Sequence, residues 1–202
     1  QSLDLFYRSS VTHQLARYAL GLNYEGLPQD VVHQAKRCLL DALGCAIGAY
    51  EAPGYPICEA VIREMGGPEE ATLFCSGLRT SALNATLANT FLVRFLDYND
   101  LGGGGHNSDA IPSILAVSER EKAGGQDFLT SVVISYELGA RVGQSMTRFF
   151  HPHNWTDIRA GLTMPPTLGK LMGLNEEQIA NAIGACACHS LPLGILDANR
   201  EE

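Results

Sequence analysis

Two carboxylates and an imidazole fall within ten residues of one another in the segment LDYNDLGGGGHNSD: Asp97, Asp100 and His106. A carboxylate beside an imidazole can exchange protons with a bound molecule near neutral pH. The four glycines at 102–105 let a backbone approach a ligand closely, at an entropic cost that calls for a reason. Asp97 and Asp100 are three apart, so a helix running through them would project both from one side. Acidic groups oppose the dipole at a helix C-terminus, which favours a role for them there. The competing reading is a solvated helix end followed by a surface loop. A second polar cluster, His151, His153 and Trp155 in HPHNW, has the H-x-H form of a metal pair. No third ligand is placed by spacing, and a loop end with an interfacial aromatic competes with that reading. The glycine run lacks the preceding strand and the following Lys-Ser/Thr of a phosphate loop. Ser108 lacks the G-x-S-x-G setting of a hydrolase nucleophile.

Helices must carry these groups. Ser9 or Ser10 can cap a first helix through Val11, Leu15, Tyr18 and Ala19. Pro28 opens a second, with an apolar stripe from Val31 to Ile47 and small residues at Gly44 and Gly48. A short helix over 57–65 is ended by Gly66-Gly67-Pro68, and residues 70–76 (EATLFCS) form the one plausible strand. Ser81 caps the long helix expected to reach the aspartates. Further helices are expected over 109–122, 127–146, 156–172 and 175–188. Asn175, with Glu177 and Gln178 in the first turn, caps the last of these. The pattern predicts one all-α unit over 1–202.

Across 202 residues the chain is 46% hydrophobic and 18% charged, an ordinary globular composition with enough length for a buried core. A net charge of −8 without a basic run disfavours nucleic acid and anionic membranes as partners. No apolar stretch approaches the roughly 20 residues that span a bilayer. The six cysteines (38, 45, 58, 75, 186, 188) sit in apolar runs without paired or zinc-like spacing. They read as reduced core thiols and place the chain in the cytoplasm. It begins at Gln1, which leaves room for a processed mitochondrial or other targeting peptide.

Several blocks, taken in order, resemble the N-terminal half of the MmgE/PrpD family: VVHQAKRCLLDALGCAIGA (31–49), ALNATLANTFLVRFLDYND (82–100), GHNSDAIPSILAVSE (105–119) and LGKLMGLNEEQIANAIGAC (168–186). The resemblance implies a helical domain whose α/β lid is missing from this chain. The lid would come from an absent C-terminal half or from a second polypeptide. It also implies a homodimer and cofactor-free chemistry, with no metal, on small di- or tricarboxylates. Asp97 and His106 match the family's active-site aspartate and histidine, and His153 or Asn154 takes the place of its second histidine. Asp100, Leu101, Gly105, Asn107, Ser108 and Asn154 fall in the substrate-binding stretches. Leu101 stands where relatives commonly have threonine, and Asn107 replaces the proline of a His-Pro-Ser run. Both differences point away from 2-methylcitrate as substrate. Two prolines in MPPTLGKL (164–171) are a further departure, and the family's substrate-binding lysine is expected beyond Glu202.

The expectation is therefore a lyase, dehydratase or decarboxylase in type, that works by acid/base chemistry next to a carboxylate. An epimerase on the same scaffold and a non-catalytic binding or assembly relative remain as rivals.

Overall fold

The structure, a computed structural model, describes residues 7–102, 105–146 and 159–190. In chain order its helices are α1 (Val11–Gly21), α2 (Gln29–Gly48), α3 (Tyr55–Met65), α4 (Ala82–Phe95), α5 (Ile111–Glu121), α6 (Gly125–Met146), α7 (Ala160–Leu171) and α8 (Glu176–Ser190). A two-residue antiparallel ladder, β1 (Ala71–Thr72) with β2 (Arg79–Thr80), joins α3 to α4. Among the described residues the domain is all-α apart from this ladder.

Small side chains make the centre. Ala35, Ala42 and Ala46 of α2 and Ala82, Ala85 and Ala88 of α4 are buried in one cluster with Leu92, Ile111, Ile114 and Val132. Alanine at successive inward positions lets α2 and α4 approach closely, and larger residues from α5 and α6 fill the remaining space. Ile47, expected on the inward stripe of α2, instead stands 69% exposed, as does Leu40 at 72%. With Gly44 they follow i, i+4, i+7 spacing, so the helical period gathers them on one outward ridge.

Local chemistry sets the helix ends. Ser81 Oγ accepts from the Asn84 amide and Glu70 Oε2 from the Ala82 amide, so two of α4's first N–H groups are satisfied. Asn175 and Gln178 exchange side chain-to-backbone bonds of 2.9 and 3.0 Å at the start of α8, the reciprocal cap read from the sequence. At α1, Ser10 occupies the N-cap position without a side-chain capping bond; its hydroxyl lies 2.9 Å from that of Thr12. The expected strand over 70–76 shrinks to two residues. A turn with Cys75 at φ +66 and Gly77 at φ +70 reverses the chain. Buried Asn89 holds the hairpin to α4, accepting from the Phe74 amide at 2.7 Å and donating to the Thr72 carbonyl at 2.9 Å.

The ends of the described chain are joined by α1 and α8, where Ala16 packs against Ile179 and Ile183. Buried His13 donates through Nδ1 to Glu176 Oε1 at 2.8 Å, and Arg17 reaches the same oxygen at 2.6 Å. That network draws the Glu176 carboxyl below its ordinary value, chiefly through the His13 hydrogen bond.

Candidate active site

The site grows from the way α4 stops. The helix ends at Phe95, before the aspartates it was expected to carry. Asp97 then adopts φ +49, the left-handed conformation that aspartate tolerates better than most residues and that reverses a chain. Asp97 and Asp100 consequently do not share the side of a helical turn. Asp97 turns outward, its side chain 70% exposed, where Arg94 Nη1 binds its Oδ1. Asp100 turns towards the protein and is engaged at both oxygens.

Oδ1 of Asp100 accepts from the Ser108 hydroxyl at 2.7 Å and the Ser108 amide at 3.2 Å; Oδ2 accepts from the Tyr136 hydroxyl at 2.6 Å. Burial, together with the bond to Asp100 and its charge, pushes the Tyr136 phenol far above the ordinary tyrosine range. Ser108 is fully buried, and its oxygen also accepts from Asn99 Nδ2 at 2.9 Å. The second Asn99 contact, to Asp109 Oδ1 at 2.9 Å, ties the turn to the short 3-10 helix Asn107–Ala110 that leads into α5. Asp100 and Ser108 therefore work inside the protein as a brace.

His106 sits on that brace. Its Nδ1 lies 3.2 Å from the Asn99 carbonyl oxygen and its Nε2 lies 3.5 Å from Asp97 Oδ1. A carbonyl oxygen only accepts, so the neutral ring carries its proton on Nδ1 and presents the Nε2 lone pair towards Asp97. Protonation of Nε2 places an N–H between ring and carboxylate and creates an ion pair. The ring side chain is 17% exposed, which leaves an edge open to solvent. Leu101 is 75% exposed.

The glycine run has a visible use at one position. Gly102 and Gly105 exchange backbone hydrogen bonds of 2.9 and 3.3 Å, while Gly103 and Gly104 lie outside the described residues. A Cβ on Gly105 would fall 2.0 Å from Arg159 Nη2, so the buried Arg159 guanidinium occupies the space a side chain would need. Asn107 donates to the Gly102 carbonyl at 3.1 Å and receives Arg159 Nη1 at 3.4 Å.

On the other side of Asp100, a cleft of about 460 Å³ opens along α2, lined by Gln34, Arg37, Cys38, Leu40 and Asp41. Burial raises the Cys38 thiol above its ordinary value, which disfavours the thiolate a nucleophile requires. No three His, Cys, Asp or Glu side chains among the described residues are grouped to hold a metal ion. His151, His153, Asn154 and Trp155 lie outside the described residues. No helix among those residues is long and apolar enough to cross a membrane.

The structure thus brings together Asp97, Asp100, Gly105, His106, Asn107 and Ser108. It adds four residues that the sequence reading passed over: Arg94, Asn99, Tyr136 and Arg159. Tyr136 left a faint signal, a phenol among the small residues of α6, because a half-buried tyrosine hydroxyl needs a partner. Arg159 left none.

An all-α domain that holds a carboxylate–imidazole pair at the turn after a central helix is the class these features define. The chain belongs to the MmgE/PrpD family: the profile of the MmgE/PrpD N-terminal domain matches residues 13–198. It is similar to a cis-aconitate decarboxylase of Aspergillus terreus, with 23% identity over 92% of this chain and 40% of the relative. A 2-methylcitrate dehydratase of Escherichia coli K12 is 26% identical over 80% of this chain and 36% of its own length. An alkylcitrate dehydratase of a fungal species is 28% identical over the same shares. The chain spans about 40% of the length of the curated relatives it matches.

Proposed function

We propose that this chain forms the helical part of a cofactor-independent lyase that removes water or carbon dioxide from a small di- or tricarboxylic acid. The observation that carries the reading is the place of the His106 ring, with Nδ1 3.2 Å from the Asn99 carbonyl oxygen and Nε2 3.5 Å from Asp97 Oδ1. A base so arranged can take a proton from carbon next to a carboxylate; Asp97 then stabilises the imidazolium that results. In a dehydration the electron pair of the broken C–H bond becomes the new double bond as the C–O bond breaks, and the hydroxyl leaves as water with a proton returned by the imidazolium or by a second acid. In a decarboxylation no carbon-bound proton is taken first: the carbon–carboxylate bond breaks, its electron pair stays on the substrate's carbon skeleton, and an imidazolium already protonated from solvent supplies the proton that takes up that pair. The names of the dehydratase and decarboxylase relatives support the substrate class.

Asp100, Ser108 and Asn99 take the supporting role, holding the turn from which His106 projects. Leu101, exposed to solvent, is assigned to the substrate's apolar side. His153 is proposed as a second acid/base group, with Asn154 beside it. Arg94 is engaged by Asp97 and Asp109 and Arg159 by Asn107, so further cations that bind a tricarboxylate are assigned to the portion of the relatives that this chain does not span. A homodimer is part of the proposal, with the ridge of Leu40, Gly44 and Ile47 as its contact; native mass checks it.

The test is turnover by the complete protein on cis-aconitate and on 2-alkylcitrates, with products weighed. Loss of water or carbon dioxide, reduced about 10²- to 10⁴-fold by His106→Ala, is expected. An isobaric product would mean an epimerase. If His106→Ala turns over at the wild-type rate, the assignment of the base is wrong. A complete assembly whose melting temperature no small carboxylate raises would favour a non-catalytic role.

A further inference from the structure

His106 has φ −87 and ψ 92, ordinary extended backbone, so where its ring points depends on what fixes the residues around it. On the C-terminal side Ser108 is fixed by Asp100 and Asn99, as described above. Around the ring's own peptide five residues from three segments fit one another. Arg159, at the start of α7, is 6% exposed and fills the place of a side chain at Gly105, where a Cβ would lie 2.0 Å from Nη2 and 2.7 Å from Cζ. The same guanidinium donates to Asn107 Oδ1 at 3.4 Å. Asn107 Nδ2 donates to the Gly102 carbonyl at 3.1 Å. The amide oxygen of Asn107 also lies against bare backbone of α6, since a Cβ on Gly139 would come within 2.4 Å of it.

We propose that Asn107 and Arg159 are positioning residues that clamp both peptide neighbours of His106 and so set the ring's tautomer and aim. Arg159 presses on Gly105 from one side. Asn107 ties the guanidinium to Gly102, the partner of Gly105 in the backbone pair. Gly105 and Gly139 are the two vacancies that let the clamp close, so each glycine belongs with one polar side chain. Neither Asn107 nor Arg159 needs to touch substrate for this role. It deepens the proposal for His106, and only the step from ring position to rate rests on that proposal.

The experiment reads the His106 ring directly. Ring nitrogen shifts are recorded at about pH 8, above the ordinary imidazole pKa, with the signals assigned by their loss in His106→Gln. The wild-type protein should show one dominant Nδ1–H tautomer. Asn107→Ala and Arg159→Gln should each give a mixture. On a substrate that is turned over they should lower kcat about 10- to 100-fold with KM little changed, as for a misplaced catalytic group. Asn107→Asp keeps the acceptor for Arg159 but loses the donor to the Gly102 carbonyl, so its tautomer mixture and rate should fall between those of wild type and Asn107→Ala. Gly139→Ala should disturb the ring in the wild-type background and add nothing in Asn107→Ala, because the side chain it would strike is gone.

Unchanged ring signals in Asn107→Ala and Arg159→Gln, in samples with native circular dichroism, would overturn the clamp. So would a Gly139→Ala effect of equal size in both backgrounds. If Arg159→Gln fails to fold, Asn107→Ala and the Gly139→Ala pair decide the matter; if Asn107→Ala fails to fold, Arg159→Gln and Asn107→Asp decide it. Absence of turnover in the wild-type protein would count against the proposed lyase and leave the ring signature to judge the clamp.

Discussion

Replacing Tyr136 with phenylalanine removes one hydroxyl and nothing else from the brace beneath His106. That hydroxyl donates to Asp100 Oδ2 at 2.6 Å, and a hydrogen bond to a charged acceptor contributes about 1.5–3 kcal/mol. Asp100 is only half-buried, so water recovers part of the loss. The expected destabilisation at neutral pH is about 1.5–2 kcal/mol, or roughly 3–8 °C in Tm for a domain of this size. The pH dependence is the sharper signature. The native phenol titrates well above its ordinary value of 10.0, so the unfolded chain releases this proton first. Tyr136 therefore stabilises the fold fully below about pH 10 and progressively less above it, by about 1.4 kcal/mol per pH unit. Tyr55 and Tyr18 are also raised by burial, and they leave a residual slope in the variant. Urea unfolding followed by circular dichroism from about pH 7 to about pH 11 should show wild type and Tyr136→Phe converging above pH 10. Parallel curves, or equal stability at neutral pH, would refute the account of Asp100 as a carboxylate braced from behind.

Two further outcomes rest on other parts of the fold. Asn89→Ala leaves the Phe74 amide and the Thr72 carbonyl without their side-chain partner; about 2–4 kcal/mol should be lost in chemical denaturation, with hydrogen exchange at Phe74 accelerated. Glu176 has a carboxyl lowered from 4.5, first by the His13 hydrogen bond. Its stabilisation is present above about pH 4.5 and lost as the pH falls through the native value, so Glu176→Gln should flatten the acid limb of a stability–pH curve. An unaltered acid limb would show that the α1–α8 contact does not depend on this ion pair.

Sequence reading reached the helices wherever an end carried its own chemistry. Pro28 opens α2, Gly66 closes α3, and the Asn175–Gln178 exchange starts α8; each is settled within four residues. It also brought Asp97, Asp100 and His106 into one site, because they lie on a single short segment. It missed the early end of α4, since apolar periodicity continues through Leu96 while the left-handed Asp97 is held by Arg94. It joined two carboxylates that face opposite ways for the same reason. The strand at 70–76 was overdrawn because the hairpin needs Asn89, a lone polar residue inside an apolar helix. Tyr136 and Arg159 approach from far along the chain, and no local pattern announces such partners.

The range of those contacts along the chain has a consequence for how the site is made. Asp100 meets Ser108 across 8 positions, His106 meets Asn99 across 7 and Asn107 meets Gly102 across 5. Tyr136 and Arg159 close over 36 and 52. By the logarithmic cost of loop closure, the Tyr136 contact demands about 1.3 kcal/mol more chain entropy than the Asp100–Ser108 contact. The turn's own contacts therefore close at a lower entropic cost than those that Tyr136 and Arg159 bring from far along the chain.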